Sequence, residues 1–140
     1  LKLKKVRGFG IIEILLSLSL SLIGIAGTIN GYLMSSQRVL FLSCSQAANS
    51  SAFQRIEETR AAMWDNEAWP PIDELVSSNF PPQIVKLDIP TTKNNIFWAT
   101  NIVTIKNLTP NLKSITVDCV WQFQGIKIFT NTLDTYITSK

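Results

Sequence analysis

The sequence contains no histidine. This removes Ser-His-Asp and Cys-His catalysis and every imidazole metal site. It has only two cysteines, Cys44 and Cys119, too few for a zinc ribbon or a disulfide-stapled scaffold. It has no proline before Pro70, so no proline breaks a helix in the first half of the chain. Charge is scarce too. Only 16% of the 140 residues are charged, and none lies among the 24 positions from Ile14 to Gln37. The polar composition of a disordered chain is also missing, since 46% of the residues are hydrophobic. The length allows one small domain rather than two, and a mean hydropathy of +0.18 is high for a soluble one.

What the chain does have is unevenly placed. Five of its six glycines lie at or before Gly31, and all six prolines lie at or after Pro70. The first half can run as one helix, while the second is cut into short pieces. Lys2, Lys4, Lys5 and Arg7 put four positive charges ahead of Gly8, with no acid among them. The uncharged run that follows would make about 36 Å of helix, enough to cross a hydrocarbon core of roughly 30 Å. The basic flank places the N-terminus in the cytoplasm and everything after Arg38 outside.

The apolar run is too long for a secretory signal peptide, and its one acid, Glu13, sits near its start. An isolated carboxylate in hydrocarbon costs roughly 3 kcal/mol, so Glu13 needs a cationic partner. An α-amine at Phe9 would supply one if the chain were cut after Gly8. Small and polar residues also align. Ser17, Ser21, Gly24, Thr28, Gly31 and Ser35 are spaced 4, 3, 4, 3 and 4 residues apart, one helical seam of 3.5-residue period. Gly27 and Gly31 add a GxxxG. Such residues let helix backbones approach closely in lipid, so the seam is expected to pack against similar helices.

The stretch Lys4-Lys5-Val6-Arg7-Gly8-Phe9-Gly10-Ile11-Ile12-Glu13 resembles the class III signal of type IV prepilins and type II secretion pseudopilins. In that family a prepilin peptidase cuts after the Gly of a basic leader. The new N-terminal residue is N-methylated, and a Glu stands fifth from the cut. The resemblance implies cleavage between Gly8 and Phe9, methylation of Phe9, and pairing of Glu13 with the Phe9 amine of a neighbouring subunit. Assembly would then remove the burial penalty, making Glu13 a register device. The stretch Leu20 to Gly27 is similar to that of PilV-type minor pilins. Major pilins usually carry a helix-kinking proline where this chain has Asn30. The function implied is a minor pilin-like structural subunit of a type IV pilus, or else a minor pseudopilin of a type II secretion system. Implied partners are the prepilin peptidase, other pilins or pseudopilins and an inner-membrane assembly platform. The head would lie in the periplasm and then in the pilus or pseudopilus. No cofactor is expected and no catalysis, since no convergent Ser-Lys or paired-carboxylate set stands out.

The fold class expected is α+β, one long N-terminal helix on a small antiparallel meander, as in pilins. The segments are a leader at 1–8, a membrane or filament-core helix at 9–37, an amphipathic continuation at 38–64, and a loop plus sheet at 65–140. The helix from Phe9 to Trp64 would be about 84 Å long. Leu40, Cys44, Ala47, Ala48, Ala52, Ile56 and Met63 form its apolar stripe. Strands are expected at about Ile84–Ile89, Ile96–Lys106, Ser114–Phe123 and Ile126–Ile137, with a hairpin at Gln124-Gly125. In the third, Ile115, Val117, Cys119, Trp121 and Phe123 alternate with more polar residues, so one face is buried. Phe97 or Trp98, Trp121, Phe129 and Tyr136 should supply much of the core.

Cys44 and Cys119 should meet there as two buried thiols, with a disulfide between them as the alternative. From Glu57 to Glu74 the net charge is −5, and from Thr91 to Lys140 it is +3. This reads first as a solvated helix end and loop, and second as a docking surface for another head. Nucleic-acid binding is not expected. Without residues 1–8 the chain carries nine bases against ten acids, and dense Arg/aromatic interleaving is missing. No EF-hand spacing is present. Asn49-Ser50-Ser51 and Asn107-Leu108-Thr109 match the glycosylation sequon.

Overall fold

The computed structural model describes residues 10–90, 96–123, 125 and 127–139. The leader, with Gly8 and Phe9, and Gln124 of the expected hairpin lie outside them. Two compact units meet in sequence between Val39 and Leu40. One helix, α1, runs from Ile11 to Ala61, 51 residues. No proline interrupts it, Glu13 stands in its first turn and Arg60 in its last, each sign matched to the helix dipole. The part of α1 before Leu40 is exposed throughout. Among the described residues α1 is the one helix long and apolar enough to cross a membrane, and none of its most apolar window is buried inside the protein.

In the second unit α1 buries Cys44, Ala48, Ala52, Ile56 and Thr59. Spacings of four, four, four and three residues keep them on one face. That face covers a four-stranded antiparallel sheet of order β3-β4-β5-β6, with β3 at Gln83–Lys86, β4 at Trp98–Thr109, β5 at Leu112–Phe123 and β6 at Lys127–Thr138. Neighbours in sequence are neighbours in space, so the sheet is a meander. The expected α+β architecture is what the chain adopts. Strand β5 is central and alternates as read, with Ile115, Val117, Cys119 and Trp121 buried. Gly125 makes the turn into β6 with φ of 70°, a conformation that suits glycine.

Several expectations need correction. The helix stops at Ala61 rather than Trp64. The amide of Met63 donates to Glu74 Oε2 at 3.0 Å, and Trp64–Asp65 (β1) pairs with Ile72–Asp73 (β2) as a two-stranded ribbon. Pairing with a distant segment captures residues that helical periodicity would have continued. Met63 is consequently exposed, whereas Trp64 is buried. Strand β3 is shorter than expected because its register with β4 ends at Lys86 opposite Trp98. Trp98 and Tyr136 are 56% and 65% exposed and lie on the outer face of the sheet. Phe97, not Trp98, joins the core, together with Trp121 and Phe129.

Candidate processing and assembly site

Gly10 begins the described chain, and its amide donates to Glu13 Oε2 at 2.9 Å. The Glu13 amide in turn donates to the Gly10 carbonyl at 3.0 Å. A glutamate three residues into a helix that reaches back to the first amide is half of a capping box. It also places a carboxylate at the positive end of the helix dipole. Glu13 therefore has a partner within its own chain, beyond the intermolecular one the sequence suggested.

The seam residues fall on the exposed part of α1. Ser17 donates to the Glu13 carbonyl at 2.8 Å, Ser21 to the Ser17 carbonyl at 2.9 Å and Thr28 to the Ile25 carbonyl at 2.8 Å. Hydroxyls bonded to their own helix bring no unmet donor into lipid or into a helix contact. A Cβ added at Gly24, Gly27 or Gly31 would meet nothing within 4 Å. Each glycine costs a helix roughly 1 kcal/mol against alanine, and among the described residues nothing packs on Gly24, Gly27 or Gly31 to return that cost.

Cys44 and Cys119 are both fully buried and unbonded. Burial pushes the Cys119 thiol up to about 11 and raises Cys44 as well, an effect that its own backbone hydrogen bond partly opposes. The acidic stretch is substantially neutralised from within. Arg55 pairs with Glu58, Arg60 with Glu57 and Lys113 with Asp73. Asp65 caps the amides of Glu67 and Ala68 at 2.9 and 3.1 Å. This favours a self-satisfied helix end and loop over a bare acidic surface.

Two polar devices were missed from the sequence. Lys113 is 3% exposed on the buried face of β5. Its ammonium reaches both Asp73 oxygens at 2.6 Å and the Leu75 carbonyl at 2.8 Å, and lies 4.6 Å from the Trp64 ring centroid. Asn131 joins helix and sheet. It accepts from Trp121 Nε1 at 2.7 Å and donates to Ser45 Oγ at 3.1 Å and Asn49 Oδ1 at 2.8 Å. A signal existed for Lys113, since it continues the alternation of Ile115 and Val117 by one step. Its hydrogen-bond partners Asp73 and Leu75, 40 and 38 residues away, gave none.

Aromatic rings gather where α1 enters the second unit. Phe41 lies 5.4 Å from Trp121, 5.5 Å from Phe123 and 4.9 Å from Phe129, centroid to centroid. Phe97 stacks on Phe123 at 6.4 Å. No family model, curated protein or solved structure matches the chain.

Proposed function

We propose that this protein is a minor pilin-like structural subunit, anchored in the inner membrane by residues 9–37, processed by a prepilin peptidase, and taken into a type IV pilus. The observation that carries the reading is the run Gly8-Phe9-Gly10-Ile11-Ile12-Glu13 leading directly into α1. Water would hydrolyse the Gly8–Phe9 amide, leaving a carboxylate on Gly8 of the leader and a free amine on Phe9. The amine would then take one methyl group from a sulfonium methyl donor as a proton leaves its nitrogen and the donor departs as a thioether. The amine stays cationic near neutral pH, and the Glu13 carboxylate is its counter-ion on the adjacent subunit. The unrequited glycines of α1 fit the same reading, because they allow close approach of a second helix. The α1–sheet unit acts as the head, and its contacts would place the subunit among others.

The test is partnership. The full chain, expressed in a piliated host, should co-purify with sheared, retraction-capable pili and be missing from a secretin-exporting pseudopilus. Recovery only with the pseudopilus would assign it to type II secretion. Recovery with neither, from a membrane fraction rich in both, would remove the structural role.

A further inference from the structure

Strands β3 and β6 are the two edges of the sheet. One hydrogen bond beside each strand fixes which of its backbone groups are free. The Leu87 amide donates to the Phe97 carbonyl at 2.9 Å, one step beyond the Lys86–Trp98 pair. Leu87, Val85 and Gln83 therefore bond inward to β4, while Ile84, Lys86 and Asp88 turn their amides and carbonyls outward. The Ser139 amide donates to the Asn111 carbonyl at 3.2 Å, and the register of β6 on β5 runs unbroken from Thr138 to Lys127. Thr132, Asp134 and Tyr136 therefore turn their backbone groups outward as well. By strand alternation the side chains of these six residues lie on the face of the sheet away from α1. Ile84 is 71% exposed and Tyr136 65%. Lys86 and Asp134 are exposed too, and among the described residues neither has an ion-pair partner.

We infer that the outer edge of β3 receives β6 of a second copy of this chain, joining the two sheets edge to edge. The contact goes beyond the filament reading and does not depend on cleavage at Gly8. Successive strands of the meander are antiparallel, so β3 and β6 run in opposite directions. A copy set alongside in the same orientation brings its β6 antiparallel to β3. With Lys86 opposite Asp134, Ile84 falls opposite Tyr136 and Asp88 opposite Thr132. The outward amides and carbonyls of all six residues then face one another. The side chains meet as cation on carboxylate and aliphatic on ring, both favourable across strands. Slipping the partner by two residues one way sets Ile84 against Asp134. Slipping it the other way sets Asp88 against Asp134, like charges directly opposed. Slipping by one turns every partner side chain to the wrong face. This match of charge and shape selects β6 of the same chain over an arbitrary strand. Pro81, Pro82 and Pro90 flank β3 and confine the pairing to this short stretch. On the helix side the edge stays open, because a cavity of about 390 Å³ is lined by Ser50, Ser51 and Gln54 of α1 together with Val85 and Leu87. The two edges differ, so the contact is heterologous and repeats from copy to copy instead of closing on itself.

Site-directed cross-linking tests it on the full chain in detergent. One preparation carries Ile84→Cys and a second carries Tyr136→Cys, both at exposed sites, while the native cysteines are buried. Opposed residues of a hydrogen-bonded pair have Cα atoms about 5.5 Å apart, within reach of a disulfide. Mixed and oxidised, the two preparations should form a covalent dimer well above the yield of either alone. Ile128→Cys, on the same strand edge but eight residues away, should not join Ile84→Cys. Adding Lys86→Glu to the first preparation should lower the yield about threefold, and Asp134→Lys in the second should restore it. A mixture that yields no more than its components, or the same yield with Ile128→Cys, overturns the contact. Tyr136→Cys joining chiefly to itself assigns β6 to a symmetric pairing and also overturns it. A yield unmoved by Lys86→Glu contradicts the charge match that selects the partner. No peptidase enters the measurement, so its failure leaves the proposed processing standing.

Discussion

At position 113 the buried face of a strand carries an ammonium group, held by Asp73, the Leu75 carbonyl and the face of Trp64. Removing one partner of such a pair leaves an uncompensated charge. Asp73→Ala should therefore destabilise the sheet-bearing unit by about 2 kcal/mol, tempered because the Asp73 side chain is 42% exposed and water reaches it. Lys113→Met combined with Asp73→Ala should recover part of the loss, as read by thermal unfolding of the wild type and the two variants. Cys119 gives a pH dependence. Its folded value of about 11 lies above the ordinary 9.0, so the folded state favours the protonated thiol. That advantage is complete below about pH 9 and is lost as pH rises through about 11, with a slope up to ~1.4 kcal/mol per pH unit. The alkaline fall in melting temperature should be shallower in Cys119→Ala than in wild type. Glu13 separates two roles. Glutamine can still cap Gly10 but carries no charge, so Glu13→Gln should keep insertion and the helix start yet enter filaments poorly. Incorporation equal to wild type would reduce Glu13 to a cap.

At the scale of elements, periodicity located α1, the four-stranded meander and the Gly125 turn, because each depends on local alternation or on one residue's backbone freedom. It failed where distant pairing decides. The β1–β2 ribbon was illegible because Trp64 and Asp73 are each too short a cue alone. Trp98 and Phe97 are adjacent and equally bulky, so only register tells which faces the core. Around the candidate site, spacing alone puts Glu13 and the small-residue seam from Ser17 to Ser35 on one helix, whereas the Gly10 cap needed coordinates. The contact of α1 with β5 relies on small residues. Ala48 and Ala52 are fully buried, and extra methylenes there would force strand and helix apart. Ala52→Leu should cost about 1–3 kcal/mol, measured by denaturant unfolding. A neutral result would mean that helix and sheet are farther apart than the buried alanines imply.

Across the whole molecule two kinds of stability meet in one chain. The sheet-bearing unit has an apolar core, and Glu57, Glu58 and Asp73 are paired with cations while Asp65 caps amides. The stretch from Ile11 to Val39 is not packed in this way, since its leucines and isoleucines are exposed and a Cβ added at Gly24, Gly27 or Gly31 would meet nothing within 4 Å. Lipid and neighbouring helices would supply what it lacks, and a cut at Gly8 would change its charge from basic leader to single amine. The full chain is +3, and loss of residues 1–8 leaves nine bases against ten acids. The most direct measurement is the intact mass of the chain expressed with and without an active prepilin peptidase. Expected is the loss of residues 1–8 together with the gain of one methyl group, and no change in a Gly8→Val variant. A wild-type chain that keeps its full mass beside an active peptidase would contradict the assignment at its root.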